Sequence, residues 1–317
     1  MSLGRLLFAL LFIGLATLLV ALSAAWAPDR PVEELAARWA GPPSEFRPLQ
    51  GMQVHLRDEG PADDPVPVLL LHGTSASLHT WDGWVTGLAG RERVIRVDLP
   101  GFGLTGPFPH DDYGIERYIE FVAALLDALE LKQVVIAGNS FGGQVAWEFA
   151  ATTPERVAGL VLVDAAGYPF RPESIPLAFQ LARFPVLQPL VERLLPRHVV
   201  RASLHNVYGD PTRVDEALVD RYFELALREG NRRALGLRFA HVMPTEERAA
   251  RIRTLTQPTL ILWGGRDRLI PPESASRFAS DIAGSRLVMF DRLGHVPHEE
   301  APEETLAVVE EFLAPMR

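Results

Sequence analysis

The chain has 317 residues, 48% of them hydrophobic, so it can bury the core of one large α/β domain with an insertion or of two small domains. Its formal net charge is −9 and it has no lysine- or arginine-rich run, which argues against a nucleic-acid partner. It has no cysteine, which excludes disulfides, thiolate metal sites and a cysteine nucleophile.

The first distinctive segment is an uncharged run of 22 residues, from Leu6 to Ala27, that follows Arg5. As a helix it would be about 33 Å long, enough to cross the hydrocarbon core of a bilayer. We therefore predict that residues 1–28 form an uncleaved transmembrane anchor. Because a positive charge precedes the run and acidic residues follow it, we expect the amino terminus in the cytoplasm and the bulk of the chain outside it.

Two alternatives remain open for this segment. A cleavable signal peptide would give a secreted or periplasmic protein, and Ala25-Trp26-Ala27 fits the small-residue pattern of a cleavage site. Against cleavage after Ala27, the next residue is Pro28, whose tertiary amide is a poor scissile bond, and the apolar run is long for a signal peptide. A buried core helix is the other alternative.

Residues 29–45 are rich in proline and alanine, and we predict a linker there with one short helix near Val32–Trp39. The following residues predict a hairpin, because strand-like Phe46–Leu49 and Met52–Arg57 flank Gln50-Gly51. We expect the folded domain to extend from this hairpin over residues 46–317.

Further along, short apolar runs predict buried strands, and helix-like segments separate them. Tyr113–Glu130, for instance, has apolar residues at helical spacing. Such alternation indicates a doubly wound, mostly parallel α/β sheet, whose ligands bind at the carboxyl ends of the strands. The predicted strands are Val66–Leu71, Arg93–Asp98, Val134–Ala137, Val157–Val163, Thr259–Trp263 and Arg286–Phe290.

The alternation stops between residues 163 and 259. Tyr168–Arg201 is dense in proline, and Val214–Glu229 and Asn231–Val242 are typical of amphipathic helices. We predict a helical cap inserted at about residues 168–254, over the active face of the sheet. A separate interaction domain is the alternative.

The cap contains an apolar run, Ile175–Leu195, which we expect to pack the cap and to line a pocket. The surrounding segment Pro169–Arg201 has five arginines and two glutamates, a net charge of +3 in a chain of net charge −9. Apolar surface fringed by arginine is typical of docking to anionic lipid, so the cap entrance is a candidate for that role.

A candidate nucleophile lies in Gly138-Asn-Ser-Phe-Gly142, between the strand Val134–Ala137 and the helix-like Gln144–Ala151. A sharp strand-to-helix turn strains its central residue, and small neighbours two positions before and after let the two arms pass. Such a turn would present the Ser140 hydroxyl at the end of a sheet, beside helix N–H groups that favour anions. This arrangement is suited to acyl transfer.

A serine hydroxyl needs a base to take its proton and a third group to orient that base. His295 is the candidate base, because it follows the last strand in the glycine-flanked loop Leu293–His298, and His298 is interpreted as structural. Asp267 is the candidate acid, since it gives the chain order Ser…Asp…His. Asp164, at the end of another strand, remains the alternative acid.

The oxyanion of an acyl-transfer intermediate needs two backbone donors. One is expected from the N–H of Phe141 and the other from Thr74, with Ser75 as a second possibility. We place His72, Gly73 and Ser75 on the substrate-binding side of the site. The Gly73 backbone would allow close approach, while His72 would brace the loop rather than titrate.

Five segments together resemble the signature blocks of the α/β-hydrolase fold family, and the resemblance covers about residues 46–317. It implies an eight-stranded, mostly parallel sheet, a Ser-His-Asp triad, a helical lid after the sixth strand, and no metal or cofactor. The segments are His72-Gly73, Asp98–Gly103, Gly138–Gly142, Gly265–Asp267 and Gly294-His295.

The sequence also departs from parts of this family. Haloalkane and epoxide relatives carry aspartate at the nucleophile, so Ser140 argues against both activities. The loop from His72 to Ser75 lacks the proline of many relatives and the extra glycines of carbon–carbon bond hydrolases.

We predict a serine hydrolase that cleaves a hydrophobic carboxylic ester through an acyl-enzyme, with the membrane as a partner through its amino-terminal segment. A carbon–carbon bond hydrolase or cofactor-free perhydrolase with the same triad is the enzymatic alternative. A non-catalytic ligand receptor on the same scaffold is the alternative from another class.

Overall fold

The computed structural model of the protein describes residues 3–182 and 184–316, without the side chains of residues 3, 6, 9, 18, 178 and 185. It contains one eight-stranded sheet with the strand order β1-β2-β4-β3-β5-β6-β7-β8. β1 and β2 are antiparallel to their neighbours and all other pairs are parallel. The strands are β1 Ser44–Leu49, β2 Met52–Glu59, β3 Val68–Leu71, β4 Val94–Val97, β5 Val134–Asn139, β6 Val157–Val163, β7 Thr259–Gly264 and β8 Arg286–Phe290.

Apolar cores cover both faces of this sheet, because successive side chains of a strand point to opposite faces. In β3, Leu69 and Leu71 belong to one core, whereas Val68 and Leu70 belong to the other. Strands β3, β4, β5 and β7 are buried along their whole length. This burial explains the apolar character of these segments in the sequence, which only Arg96 of β4 interrupts with a charge.

Helices flank the sheet and continue into the segment between β6 and β7. The α-helices are α1 Leu3–Ala25, α2 Val32–Trp39, α3 Asp82–Leu88, α4 Ile115–Ala128, α5 Phe141–Thr152, α6 Leu177–Ala182, α7 Gln188–Val191, α8 Arg197–Val207, α9 Glu216–Ala226, α10 Asn231–His241, α11 Glu246–Ala249, α12 Glu273–Asp281, α13 Pro297–Glu300 and α14 Pro302–Leu313. The 3₁₀ helices are Leu78–Trp81, Pro154–Arg156, Pro185–Leu187, Pro211–Arg213, Ala250–Thr254 and Ala314–Met316.

This architecture confirms the predicted doubly wound, mostly parallel sheet. Two predicted strands, Val157–Val163 and Arg286–Phe290, have the bounds that the structure gives to β6 and β8. The predicted hairpin is formed by β1 and β2, with Gln50 and Gly51 at positive φ in its turn.

The amino-terminal apolar run forms helix α1. Across the described part of the chain, which omits four side chains of α1, no helix is long and apolar enough to cross a membrane. The structure therefore does not support the predicted single-pass span. The alternative of a buried core helix is wrong, because Phe8, Leu11 and Phe12 are 72%, 73% and 65% exposed.

The segment predicted as a linker packs against the cap. Leu35 of α2 is buried with Leu225 of α9 and Leu104. The Trp39 indole N–H donates to Glu224 at 2.7 Å, and Arg38 pairs with the same carboxylate at 2.5 Å. Residues 29–45 are thus part of the packed structure, because a short amphipathic helix finds its apolar partner in a distant helix.

Helices α6–α11 form a cap inserted between β6 and β7. The predicted amphipathic helices correspond to α9, where the Asp215 carboxylate caps the N–H of Leu218 at 2.7 Å, and to α10. The apolar run has both expected properties: Phe179 of α6 packs against Phe239 of α10, with ring centroids 5.4 Å apart, and Leu177 and Leu181 line the pocket. Leu177 and Leu181 are also 51% and 38% exposed.

The predicted basic fringe of the cap is partly neutralised. Arg197 pairs with Glu216 and Asp220 at 2.6 and 2.5 Å, and Arg201 pairs with Glu216. Both acidic residues belong to α9, outside the segment from which the charge of +3 was counted, and Arg183 lies outside the described residues. The charge pattern along the chain is therefore a poor guide to the charge of this surface.

Candidate active site

Ser140 occupies the sharp turn that its sequence predicts, between β5 and α5. Its backbone has φ 55° and ψ −116°, a strained conformation for a residue with a side chain. A Cβ at Gly138 would lie 2.3 Å from the carbonyl oxygen of Gly142, and one at Gly142 would lie 2.3 Å from that of Leu71. Gly138 is therefore required for β5 and α5 to pass each other, and Gly142 for α5 to pack against the end of β3.

Backbone hydrogen bonds hold the turn in place. The Ser140 N–H donates to the Val163 carbonyl at 3.0 Å, and the Ser140 carbonyl accepts from Gln144 at 3.1 Å and Ala166 at 3.0 Å. The Asn139 side-chain amide donates to the His295 carbonyl at 3.0 Å. Asn139 thereby ties the serine turn to the histidine loop, a role that its position in the motif does not reveal.

His295 and Asp267 form a short hydrogen bond. The distance from His295 Nδ1 to Asp267 Oδ2 is 2.6 Å, and both residues are buried. Asp267 Oδ1 accepts from the N–H groups of Leu269 at 2.8 Å and Ile270 at 3.0 Å, which fixes the carboxylate. His295 lines the same cavity as Ser140, so the three predicted residues are brought to one site.

The alternative acid, Asp164, is also at this site but bonds differently. Its Oδ1 accepts from the Gly264 N–H at 2.9 Å, whereas the His295 ring donates its Nδ1–H to Asp267 and not to Asp164. Complete burial, together with the neighbouring Asp267 carboxylate, raises the pKa of Asp164 well above its ordinary value.

His298 has the structural role predicted for it. It is fully buried, its ring lies 4.1 Å from the Trp81 ring between centroids, and its Nε2 lies 3.1 Å from Thr80 Oγ1. Burial lowers the pKa of His298 well below the ordinary value, so the ring is neutral.

The loop after β3 places Gly73, Thr74 and Ser75 in the lining of the cavity, together with Phe141 at the start of α5. The first N–H groups of a helix have no partner within the helix, so the Phe141 N–H can serve an oxyanion. A Cβ at Gly73 would lie 2.7 Å from Asn139 Oδ1, so the loop packs closely against the serine turn at this glycine.

His72 is not among the described residues that line the cavity, so its predicted place on the substrate-binding side is wrong. The ring is fully buried, with Nδ1 2.8 Å from the Gly73 carbonyl oxygen and Nε2 3.0 Å from the Leu99 N–H that donates to it. Burial lowers the pKa of His72. The ring braces the loop, which was the other part of the prediction.

Asp98 also stabilises the loop after β3. Its carboxylate accepts from the N–H groups of Leu78 at 2.7 Å and Leu104 at 2.8 Å, and lies 2.6 Å from His55 Nδ1. Burial raises the pKa of Asp98, but the charge and hydrogen bond of His55 outweigh this effect and the net shift is downward. The partner His55, 43 positions earlier in the chain, gives no sequence signal of this role.

The cavity between cap and sheet has a volume of about 380 Å³. Ser140 and His295 lie in its wall, and its few polar groups include Gln144, Arg232 and Arg238. The remaining lining is dominated by apolar side chains of the cap, among them Phe179, Val191, Leu194, Leu195, Leu204 and Leu235.

One group of possible metal ligands occurs among the described residues: Asp164, Asp267 and His295, with one ligand atom each within 4.8 Å of one another. It coincides with the candidate acid and base. His295 and Asp267 are also hydrogen-bonded to each other, at 2.6 Å between Nδ1 and Oδ2.

A family model described as "alpha/beta hydrolase fold" matches residues 66–302. The chain is 32% identical over 277 residues to the 2-hydroxy-6-oxo-2,4-heptadienoate hydrolase of Pseudomonas putida, which covers 83% of this chain and 94% of that protein.

Two solved structures extend this similarity. The meta-cleavage product hydrolase CumD of Pseudomonas fluorescens matches with a TM-score of 0.73 and 26% identity, covering 86% of this chain and 98% of the other. A bacterial membrane phospholipase A matches with a TM-score of 0.74 and 25% identity, covering 99% of both chains.

Proposed function

The chain belongs to the α/β-hydrolase fold family and is a hydrolase of that type, and from this premise we propose that it cleaves hydrophobic carboxylic esters through an acyl-enzyme at Ser140. The observation that carries this proposal is the apolar cavity of about 380 Å³, with Ser140 and His295 in its wall. Such a cavity suits an acyl chain with few polar groups of its own.

In the proposed mechanism, His295 takes the proton of the Ser140 hydroxyl while the oxygen attacks the ester carbonyl carbon. The N–H groups of Phe141 and Thr74 stabilise the oxyanion. When the intermediate collapses, the carbon–oxygen bond breaks and His295 gives its proton to the departing alcohol. Water then attacks the acyl-enzyme by the same route, releasing the acid and restoring Ser140.

Asp267 supports each proton transfer. Its 2.6 Å bond to Nδ1 leaves Nε2 as the nitrogen that exchanges protons with Ser140. The negative charge also stabilises the imidazolium that forms when His295 is protonated.

Hydrolysis of a carbon–carbon bond is the second candidate, and the curated relatives favour it, since a 2-hydroxy-6-oxo-2,4-heptadienoate hydrolase covers most of this chain. One feature of the pocket agrees with it. Arg238 lines the cavity, is 6% exposed, and its guanidinium lies 4.6 Å from the Phe141 ring centroid. A cation there suits the carboxylate of a dienoate substrate.

A direct comparison of substrates decides between the two. We propose to measure kcat/KM for p-nitrophenyl esters of two to eight acyl carbons and for 2-hydroxy-6-oxo-2,4-heptadienoate, with Ser140→Ala as the control. Because each buried methylene contributes about 0.8 kcal/mol, the ester values should rise with acyl length.

A kcat/KM for the dienoate that exceeds every ester by about a hundredfold or more would transfer the assignment to carbon–carbon cleavage. Binding of these compounds without turnover of any would instead indicate a receptor on the hydrolase scaffold.

We propose further that helix α1 contacts lipid. Its exposed apolar side chains lie around its whole circumference. A groove on a protein would cover only one face of the helix, whereas lipid can surround it. The carbonyl of Ala25 accepts from Leu195 at 3.0 Å and the N–H of Ala27 donates to Arg193 at 3.0 Å, so the helix ends beside the pocket lining.

Flotation of the full chain with phosphatidylcholine vesicles tests this contact. The double variant Leu11→Glu with Phe12→Glu should bind much more weakly, whereas Ala37→Glu, which adds charge to the exposed side of α2, should not. If all three proteins fail to float, α1 has another partner.

A further inference from the structure

A second carboxyl group, that of Asp164, lies close to the His295–Asp267 pair. Asp164 follows the last residue of β6, where its N–H donates to the Leu262 carbonyl of β7 at 3.0 Å. Its backbone has φ 44°, a conformation that side-chain-bearing residues rarely adopt. Ligand atoms of Asp164, Asp267 and His295 all lie within 4.8 Å of one another.

The surroundings of Asp164 are incompatible with a second ionised carboxylate. Oδ1 accepts from the Gly264 N–H at 2.9 Å, but the fully buried Oδ2 finds no donor among the described residues. Two ionised carboxylates can only accept, so an oxygen that faces Asp267 forms a hydrogen bond only if one of the two groups carries a proton.

The neighbouring charges decide which group carries it. Asp267 has His295 and two backbone N–H groups as donors, all of which favour its ionised form. Asp164 has one backbone donor, and the titratable groups near it are the Asp267 and Glu300 carboxyls and His295, whose ring lies within 4.8 Å. Glu300 is itself held as an acceptor by the N–H groups of Gly209, Asp210 and Gly294.

We propose that Asp164 is a positioning residue of the active site: a neutral carboxylic acid whose O–H donates to Asp267 and holds that carboxylate against His295. The proposal rests on the role of Ser140, His295 and Asp267 given above. The shared proton keeps one negative charge, not two, behind the imidazole. It thus restrains the basicity of His295 while fixing its tautomer.

Two substitutions separate this role from a purely structural one. Asparagine reproduces both functions of the neutral acid, because its amide accepts from Gly264 and donates to Asp267. Alanine removes both. The readouts are kcat for the best ester and the pH dependence of inactivation by an organophosphonate, with the melting temperature as a check of folding.

We expect Asp164→Ala to lower kcat by about tenfold and to move the acid limb of the profile up by about half a pH unit, since the full charge of Asp267 then acts on His295. Asp164→Asn should restore most of the rate and return the limb to its wild-type position.

Two results would overturn the proposal. If Asp164→Asn moves the acid limb down by about one unit or more, the substitution has removed a negative charge and Asp164 is ionised in the wild type. If the two variants are equal in rate and in pH profile, Asp164 is merely structural.

Should Asp164→Ala not fold, the pH profile of Asp164→Asn alone decides. Failure of the proposed function is distinguishable, because wild-type protein would then not react with the organophosphonate.

Discussion

At the scale of single residues, the site depends on a few strained backbone conformations that the surrounding structure holds in place. Ser140, Ser75 and Asp164 all have positive φ, with values of 55°, 61° and 44°. Ser140 and Asp164 directly follow β5 and β6, and Ser75 lies in the loop after β3, so all three are at the carboxyl-end edge of the sheet. Strain of this kind persists only where neighbouring structure enforces it, which is typical of functional sites.

Replacement of Asp267 by asparagine should lower kcat by about 10⁴-fold, because the amide would favour the wrong tautomer of His295. Asp164→Asn should cost far less. Asp291→Asn, at an exposed strand end, is the matched control. Ester hydrolysis by the three purified variants measures the order of effects, and a larger loss in Asp164→Asn would make Asp164 the acid of the triad.

At the scale of elements, α2 shows how a segment that resembles a linker becomes part of the fold. Its only fully buried residue, Leu35, is 1% exposed. Near Leu35, Trp39 donates to Glu224 of α9 and Arg38 pairs with Asp220 of the same helix. The element thus attaches the amino-terminal region to the cap, and the Trp39 carbonyl, 2.9 Å from His79 Nε2, connects it to the loop after β3.

Leu35→Ala should destabilise the protein by about 2–5 kcal/mol, since a fully buried leucine is replaced by a cavity. Ala37→Ser, on the exposed side of the same helix, should change stability by less than about 0.5 kcal/mol. Urea unfolding of both variants measures the difference. Equal and small effects would mean that α2 does not contribute to the folded core.

The sequence predicts elements well where one local pattern determines the outcome. The strands β6 and β8 and the turn at Ser140 follow from apolar runs and glycine spacing alone. The environments of α2, His72 and Asp98 depend on partners far along the chain, such as Leu225, Leu99 and His55. Such long-range packing leaves no periodic signal. The sequence therefore predicts α2 but not its packing against the cap, and the bracing role of His72 but not the absence of its ring from the described cavity lining.

The choice between Asp164 and Asp267 was open for a related reason. Both follow strands and both reach the same edge of the sheet, so position in the chain does not separate them. Hydrogen bonds do, because His295 bonds to Asp267 and Gly264 bonds to Asp164. Only the register of β6 and β7 makes the two carboxyls neighbours.

At the scale of the whole molecule, buried neutral histidines couple stability to pH. Burial lowers the pKa of His72 and His298, and it lowers the pKa of His79 from 6.5 to about 4. Below about pH 6.5 these side chains take up protons in the unfolded chain but not in the folded one. The unfolded state then binds more protons, so stability falls as the pH is lowered.

We expect the free energy of unfolding to decrease as the pH falls from about 6.5 towards 4, with His79 alone contributing up to about 3 kcal/mol. His79→Gln should flatten this dependence, whereas His110→Gln, at an exposed position, should leave it unchanged. Urea unfolding at a series of pH values gives the slope. A slope that His79→Gln does not alter would show that His79 is not a neutral buried group.

The proposed chemistry has one direct test. Wild-type protein treated with an organophosphonate should gain a single covalent adduct, and peptide mass spectrometry should locate it on Ser140. Ser140→Ala should show neither adduct nor turnover while its melting temperature stays within a few degrees, because a small turn residue is replaced by another of similar size. An adduct on any other residue, or Ser140→Ala activity within about tenfold of wild type, would contradict the account, since a nucleophile of this kind usually contributes about 10⁴-fold or more.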